Sequence, residues 1–243
     1  MTKHTEPLTI LITGGSSGYG AGMAEVLASC GHTVWITGRR KEALEAVARK
    51  TGASYIVADV SSATDWEKVI STIADRGHDI DVLINNAGAG IAIKPLDEQT
   101  VDELEQSIQI NLFGAMLGAR AVLPGMKQRK SGLIIHVSSV CAVHAWPGFA
   151  AYSAAKAGLE MLNRCLHTEC REFGIRSTIF RPSWGATDFA ASAGLGEHDP
   201  EVAQQCMQPR ECGDMIRAII ETPPHLSMPL VTTQPLVQDI TPM

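Results

Sequence analysis

Tyr152 and Lys156 stand four residues apart in a stretch of helical period, Ala151–Phe173, so their side chains project from one face. A phenol, with a reference pKa of about 10, is a poor base at neutral pH. An ammonium beside it favours the phenolate, so the pair is expected to form a tyrosine able to give and take a proton. On its own the pair reads equally well as a surface tyrosine and a solvated lysine. A second chemical stretch is Thr13-Gly14-Gly15-Ser16-Ser17-Gly18-Tyr19-Gly20, which follows an apolar run and opens a helical one. Glycines there let the backbone turn tightly and let a pyrophosphate approach the free N–H groups of a helix N-terminus. The bland reading is a plain glycine-rich turn. The third is Gly38-Arg39-Arg40, at the end of the second apolar run. A dinucleotide site for NAD usually holds a carboxylate there. Guanidinium groups in its place suit the 2′-phosphate of NADP through charge-assisted bonds, each worth about 1.5–3 kcal/mol. Arg39 is assigned the phosphate, with Arg40 as its helper. As mere solvating charges at a helix start, both would oppose the helix dipole.

Short Ile- and Val-rich runs that could position these groups are Leu8–Thr13, Thr33–Thr37, Ser54–Ala58, Val82–Asn85, Leu133–Val137 and Ile175–Phe180. They lack strict polar alternation, as buried parallel strands do. Helical patterns separate them: Tyr19–Cys30, Lys41–Lys50, Ala63–Arg76, Thr100–Gln128 and Ala151–Phe173. In the fourth, Val101, Leu104, Ile108, Ala115, Ala119, Val122 and Met126 form one expected apolar face. This alternation predicts βαβ units, hence an α/β fold: a single-domain, Rossmann-type doubly wound parallel sheet over residues 1–243. Pro182–Pro209 reads as one long loop, with a mobile substrate loop at about 185–208, and 224–243 as a proline-rich C-terminal tail.

Composition sets outer limits. With 243 residues and 45% apolar content, the chain can bury a sizeable core. A net charge of -6 argues against nucleic acid as a partner. The six cysteines include no CxxC pair, and no histidines stand at zinc-ligand spacing, so no metal is expected and the thiols read as reduced. No apolar run approaches a membrane span, and the N-terminus does not read as a signal peptide. The expected location is therefore cytoplasmic.

The glycine segment has the spacing TGxxxGxG, and further segments follow it in a fixed order: Asp59-Val60, Asn85-Asn86-Ala87-Gly88, Asn111, Ser139, Tyr152-x-x-x-Lys156 and Pro182–Thr187. In this order they resemble the short-chain dehydrogenase/reductase family, over about residues 8 to 190. The resemblance implies an NADP(H)-dependent enzyme interconverting a carbonyl and an alcohol, with Asn111, Ser139, Tyr152 and Lys156 as its catalytic residues. Tyr152 would protonate the oxygen as hydride reaches carbon, or act in reverse as the base. Lys156 would also hold the nicotinamide ribose, Ser139 would bond the substrate oxygen, and Asn111 would anchor a water. Ser138 is the rival for the serine role, although Ser139 has the family's distance from Tyr152. Gly14, Ser16, Ser17, Gly18, Tyr19 and Gly20 would cradle the pyrophosphate. Asp59 and Val60 would meet the adenine, and Asn86, Ala87 and Gly88 would line the path to the ribose. Pro182 and Thr187 would orient the nicotinamide carboxamide. The last stretch departs from the family's PGxVxT, with Ser183 for the glycine and Gly185 for the valine.

Ala89, Gly90, Cys141, His144, Phe149, Trp184 and Phe189 flank these positions, with Cys141 and Trp184 taken as substrate contacts. His144 reads as readily as an ordinary loop residue. The glycine pair that ends a seventh strand in many relatives is absent. The ending instead resembles a branch containing NADP-dependent 3-hydroxy-acid and serine dehydrogenases and sulfoacetaldehyde reductases. It implies a short polar or anionic aldehyde, or a 3-hydroxy acid. A reductase of bulkier hydrophobic ketones is the alternative, and a non-catalytic NADP sensor is the competing class. Arg181 and Arg210, the nearest candidates for holding an anion, read as structural. In the family the fourth and fifth helices pair across a two-fold axis, which implies a homodimer or homotetramer. The tail's Leu226, Met228, Leu230, Val231, Leu236 and Val237 are expected to bury themselves in the cleft beneath the loop, in the same subunit or a neighbour.

Overall fold

The computed structural model describes residues 6–196 and 199–238, apart from the side chain of Ser192. Residues 1–5, 197–198 and 239–243, including the end of the tail and part of the 185–208 loop, lie outside the described residues. Seven parallel strands, β1 (Thr9–Thr13), β2 (Thr33–Gly38), β3 (Ser54–Val57), β4 (Val82–Asn85), β5 (Gly132–Val137), β6 (Ile175–Pro182) and β7 (Leu230–Thr233), form one sheet in the order β3-β2-β1-β4-β5-β6-β7.

Each run is apolar on both faces because both faces are covered. Ile10 and Ile12 of β1 enter one core with Val82, Ile84, Leu133 and Ile135. Leu11 enters the opposite core with Leu83 and Ile134, following the period of two along a strand. The first core is closed by α1 (Gly18–Ser29), α2 (Lys41–Thr51) and α9 (Pro209–Ile220), through Met23, Leu27, Leu44, Ile216 and Ile220. The second is closed by α3 (Ala63–Ala74), α5 (Gly114–Arg129) and α6 (Ala150–Cys170), through Trp66, Val69, Val122, Met126 and Leu166.

Three expectations are corrected. The region expected to form one helix, Thr100–Gln128, is α4 (Val101–Ile108), a π turn (Gln109–Phe113) and α5. The wider turn shifts the register, so Val101 (68% exposed) and Ile108 (38%) leave the apolar stripe while Ala115, Ala119, Val122 and Met126 stay buried. The loop-rich stretch holds two short helices, α7 (Phe189–Ser192) and α8 (Pro200–Gln205). The tail supplies β7, whose residues Leu230 to Thr233 run beside Ile179 to Pro182 of β6. Ladder hydrogen bonds place it there without any glycine pair. Its apolar side chains do not fill the cleft: Leu226 (51% exposed), Met228 (40%), Leu230 (47%) and Leu236 remain on the surface.

Strand order reverses between β1 and β4, and the crevice of an open α/β sheet forms at such a switch point, outside the carboxyl ends of the strands. Among the described residues no helix is long and apolar enough to cross a membrane.

Candidate active site

A cleft of about 750 Å³ runs along those carboxyl ends. At one end it is floored by the turn after β1. Gly14 sits at φ +67°, and a Cβ there would meet the Ala87 backbone of the turn after β4. Thr13 ties the two turns together, its Oγ1 accepting from the N–H groups of Asn86 and Ala87, each at 3.0 Å. Ser17 begins α1 without a side-chain cap, and the first turn holds no acidic residue. Those N–H groups and the helix dipole therefore remain available to an anion.

Beside them, Arg40 donates to Ser17 Oγ at 2.9 Å and Ser16 Oγ at 3.3 Å. Arg39, the expected phosphate ligand, also lines the cleft, but Arg40 is the guanidinium seated on the glycine turn. Asp59 and Val60 border this end, and Asp59 accepts from Ser61 N at 2.9 Å and Ser61 Oγ at 2.7 Å. Gly20 backs the turn from outside the cleft, where a Cβ would collide with Gly14 and Asn86.

At the other end Tyr152 and Lys156 project from α6 as their spacing requires, both buried. Lys156 Nζ donates to the Val137 carbonyl at 2.9 Å and lies 5.7 Å from the centre of the Tyr152 ring. Burial lowers the Lys156 pKa to about 8. The phenol does not follow the expected direction. Burial raises its pKa above the ordinary value, the Cys141 thiol adds to this, and the Ser139 hydroxyl opposes it. Desolvation outweighs the Ser139 hydrogen bond, so the buried phenol keeps its proton.

The two serines separate cleanly. Ser139 accepts from Cys141 N at 3.2 Å, and its hydroxyl lies in the cleft within hydrogen-bonding reach of the Tyr152 phenol. Ser138 donates to Glu160 at 2.9 Å, and Glu160 is held by Arg181 at 2.5 Å. Arg181 is thus structural, as is Arg210 on Glu25 at 3.2 Å. Asn111 lies on the π turn, just outside the cleft. Its Nδ2 donates to the carbonyls of Ala89 (2.9 Å) and Ser107 (3.0 Å), and its Oδ1 accepts from Ala89 N (3.1 Å). It therefore fixes the strand of loop that lines the cleft beside Gly88.

Trp146, Phe149, Tyr152 and Phe189 form a chain of ring contacts, with centroids 6.4, 6.1 and 5.4 Å apart. Ala89, Cys141, Phe149, Trp184 and Phe189 line the cleft as expected, whereas Gly90 and His144 do not. Gly90 is closed off by Ala193 and Phe189, and His144 turns its ring onto Trp146. The segment Pro182–Thr187 crosses over the glycine turn, and a Cβ on Gly18 would touch Thr187 at 3.4 Å. Both departures from the family pattern in that segment have partners. Tyr19 fills the space that a side chain at Gly185 would occupy, and Ser183 donates to Gln238 from the tail. Trp146, Leu195 and Gln238 also line the cleft, and the sequence reading omits them. Trp146 lies in the loop between Ser139 and Tyr152, where its place could be read. Gln238 has no local signal at all. Among the described residues no group of His, Cys, Asp and Glu could hold a metal ion.

A family model described as short chain dehydrogenase matches residues 8–197. The NADP-dependent 3-hydroxy acid dehydrogenase YdfG of Salmonella typhi is 30% identical over 240 residues, covering 95% of this chain and 96% of that protein. A serine dehydrogenase in its closed form, complexed with NADP+, superposes with a TM-score of 0.89 at 26% identity, covering 97% and 98% of the two chains. An alcohol dehydrogenase of the archaeon Thermococcus sibiricus, complexed with 5-hydroxy-NADP, gives 0.87 at 26%, covering 97% and 100%. The ordered motifs, the sheet topology and these likenesses agree: the chain belongs to the short-chain dehydrogenase family.

Proposed function

We propose that the protein is an NADPH-dependent carbonyl reductase, reversible as an alcohol dehydrogenase, whose substrate is a neutral carbonyl compound with an aryl or alicyclic body. The observation that carries the substrate class is the wall of rings from Trp146 to Phe189 at the Tyr152 end. Lys156 is the only cation lining that end among the described residues. The other cations of the cleft, Arg39 and Arg40, lie at the glycine turn, beside Gly38 where an NAD site would hold a carboxylate. Arg40 on the Ser16 and Ser17 hydroxyls, backed by Arg39, would hold the 2′-phosphate, and the uncapped start of α1 would hold the pyrophosphate. Asp59 and Val60 would flank the adenine, with Asn86, Ala87 and Gly88 along the ribose and Pro182 and Thr187 at the carboxamide. The cofactor supplies the hydride.

Tyr152, kept protonated by burial, would donate its phenolic proton to the carbonyl oxygen, while Ser139 donates a second hydrogen bond to that oxygen. Lys156 would bind the ribose and favour the phenolate left behind, and Asn111 would keep the Ala89 loop in place. Cys141 and Trp184 would contact the substrate body.

The names of the relatives support a second reading, a short hydroxy acid or its aldehyde. A carboxylate would need a free guanidinium, and Arg181 and Arg210 are both paired. The test is initial rates with NADPH and with NADH on 4-nitrobenzaldehyde and on succinic semialdehyde, with Tyr152→Phe as the catalytic control. Faster turnover of the neutral aldehyde with NADPH is expected, and Tyr152→Phe should lose about 10²–10⁴-fold. Preference for the anionic aldehyde would replace the neutral-substrate reading. A variant keeping more than about a tenth of kcat would remove Tyr152 as the acid.

A further inference from the structure

The C-terminal tail reaches the cleft through one residue. Gln238 is 4% exposed and lines the cleft wall, although it lies far along the chain from every motif. Its Oε1 accepts from the Ser183 hydroxyl and, at 3.1 Å, from the backbone N–H of Trp184. The Trp184 N–H can only donate, so the amide oxygen must face it, which fixes the orientation of the side chain. The tail itself is braced. Gln238 N donates to Pro235 O at 3.1 Å, Gln234 Nε2 donates to Gln238 O at 2.8 Å, and Ser183 N donates to Thr233 O at 3.0 Å. The turn after β6 is therefore held from outside by the tail, at the residue preceding Gly185.

Trp184 is a cleft-lining residue held from two sides: Met207 N donates to its carbonyl at 3.1 Å within a short bridge at Gly185, and its own N–H is held by Gln238. We propose that Gln238 is a positioning residue for the substrate end of the cleft: by bonding Ser183 and Trp184 it sets where the Trp184 wall stands against the substrate. The pyrophosphate and adenine contacts, floored by the β1 and β4 turns, do not depend on it, and they dominate NADPH binding over the carboxamide contact of Pro182 and Thr187. This rests on the reading of the cleft as a reductase site, but not on which carbonyl compound the site takes.

Two substitutions in the full-length protein separate the oxygen's role from mere packing. Gln238→Leu keeps the bulk and removes the acceptor. Gln238→Glu keeps an acceptor oxygen for both donors whatever its ionisation. Kinetics are run with whichever of 4-nitrobenzaldehyde and succinic semialdehyde the unaltered enzyme reduces faster, so a wrong substrate class leaves the test intact. NADPH affinity is read separately from the fluorescence of the bound nicotinamide, and folding from the melting temperature. For Gln238→Leu, KM for the aldehyde should rise about fivefold or more, which is the loss expected for one or two hydrogen bonds. NADPH Kd should stay within about twofold, and Gln238→Glu should recover most of the lost KM. A leucine variant with unchanged KM overturns the proposal. So does a glutamate variant as impaired as leucine, or a fall in NADPH affinity that matches the rise in KM.

Discussion

Tyr19 and Gly185 show how one residue type constrains another at the site. Tyr19 stands in the glycine turn, yet its hydroxyl is buried with no hydrogen-bond partner among the described residues, and burial holds the phenol well above its ordinary pKa. An unpartnered buried hydroxyl is unfavourable, so its place needs a reason in packing. That reason is Gly185, which has no side chain where the phenol ends. A valine at 185, as the family pattern has, would put its Cβ on the Tyr19 hydroxyl. Gly185→Val should therefore destabilise by about 1–3 kcal/mol, the usual range for overpacking, and disturb the turn that carries Trp184 and Thr187. Tyr19→Leu with Gly185→Val should recover at least half of that loss. Melting temperatures of the two single variants and the double variant close the cycle. Losses that simply add would mean that the two positions do not share the space. The departure at 185 was visible in the sequence beside a family pattern, but its partner was not, because the two lie 166 positions apart.

At the scale of elements, the strands were legible for one physical reason: a parallel strand covered on both faces is an unbroken apolar run. β5 nonetheless carries a polar exception next to its C-terminal end. His136 is completely buried, its Nδ1 lies 3.2 Å from Asn85 Nδ2, and its Nε2 has no hydrogen-bond partner among the described residues. The Asn85 amide is a donor, so Nδ1 must accept and the ring is neutral. Burial, helped by the nearby Lys156, lowers its pKa to about 3. The folded value lies below the unfolded one of about 6.5, so the unfolded chain takes up this proton first as pH falls. Stability from this group is complete above about pH 6.5 and is lost progressively as pH falls toward 3, by a few kcal/mol in all. His136→Asn keeps an acceptor near Nδ1 and cannot titrate. Its melting temperature should fall less than that of the unaltered protein between pH 7 and pH 5, whatever its starting value. An equal fall in both would assign the acid sensitivity to other groups. Three other elements were less legible. The π turn keeps an outwardly continuous helical pattern while shifting its register, which is why Val101 and Ile108 were misplaced. α9 opens with Pro209 at its first turn and Glu211 closing a capping box on Gln208, a signal that was readable but sat at the edge of a loop-rich stretch. β7 owes its place to pairing with β6, and four residues of alternating exposure carry little signal of their own.

At the scale of the whole molecule, the described residues of one chain wall the cleft, but their surface is not evenly polar. Phe113 (39% exposed) and Met116 (41%), one turn apart at the π turn and the start of α5, face outward, and so does Met161 (55%) on α6. Leu166 of α6 is buried in the second core with Val122 and Met126 of α5, Leu159 of the same stripe is buried as well, and Leu162 is only partly buried. The helix thus serves the internal core with one side and leaves apolar side chains on the other. Fully burying a side chain of this size contributes about 1.5–3 kcal/mol, so a symmetric contact that covers several at once has a substantial driving force. We propose that α4, α5 and α6 pair with the same helices of a second copy, giving a homodimer or a tetramer built from it. Light scattering at micromolar concentration should then report a multiple of the 26.0 kDa chain mass. Placing like charges in the contact, with Met116→Glu and Met161→Glu together, should lower that mass while leaving each chain folded by circular dichroism. A mass of one chain for the unaltered protein would overturn the pairing. If the unaltered protein is oligomeric and the double variant keeps its mass, the contact lies elsewhere, and the exposed Leu226, Met228 and Leu230 around β7 become the surface to substitute next.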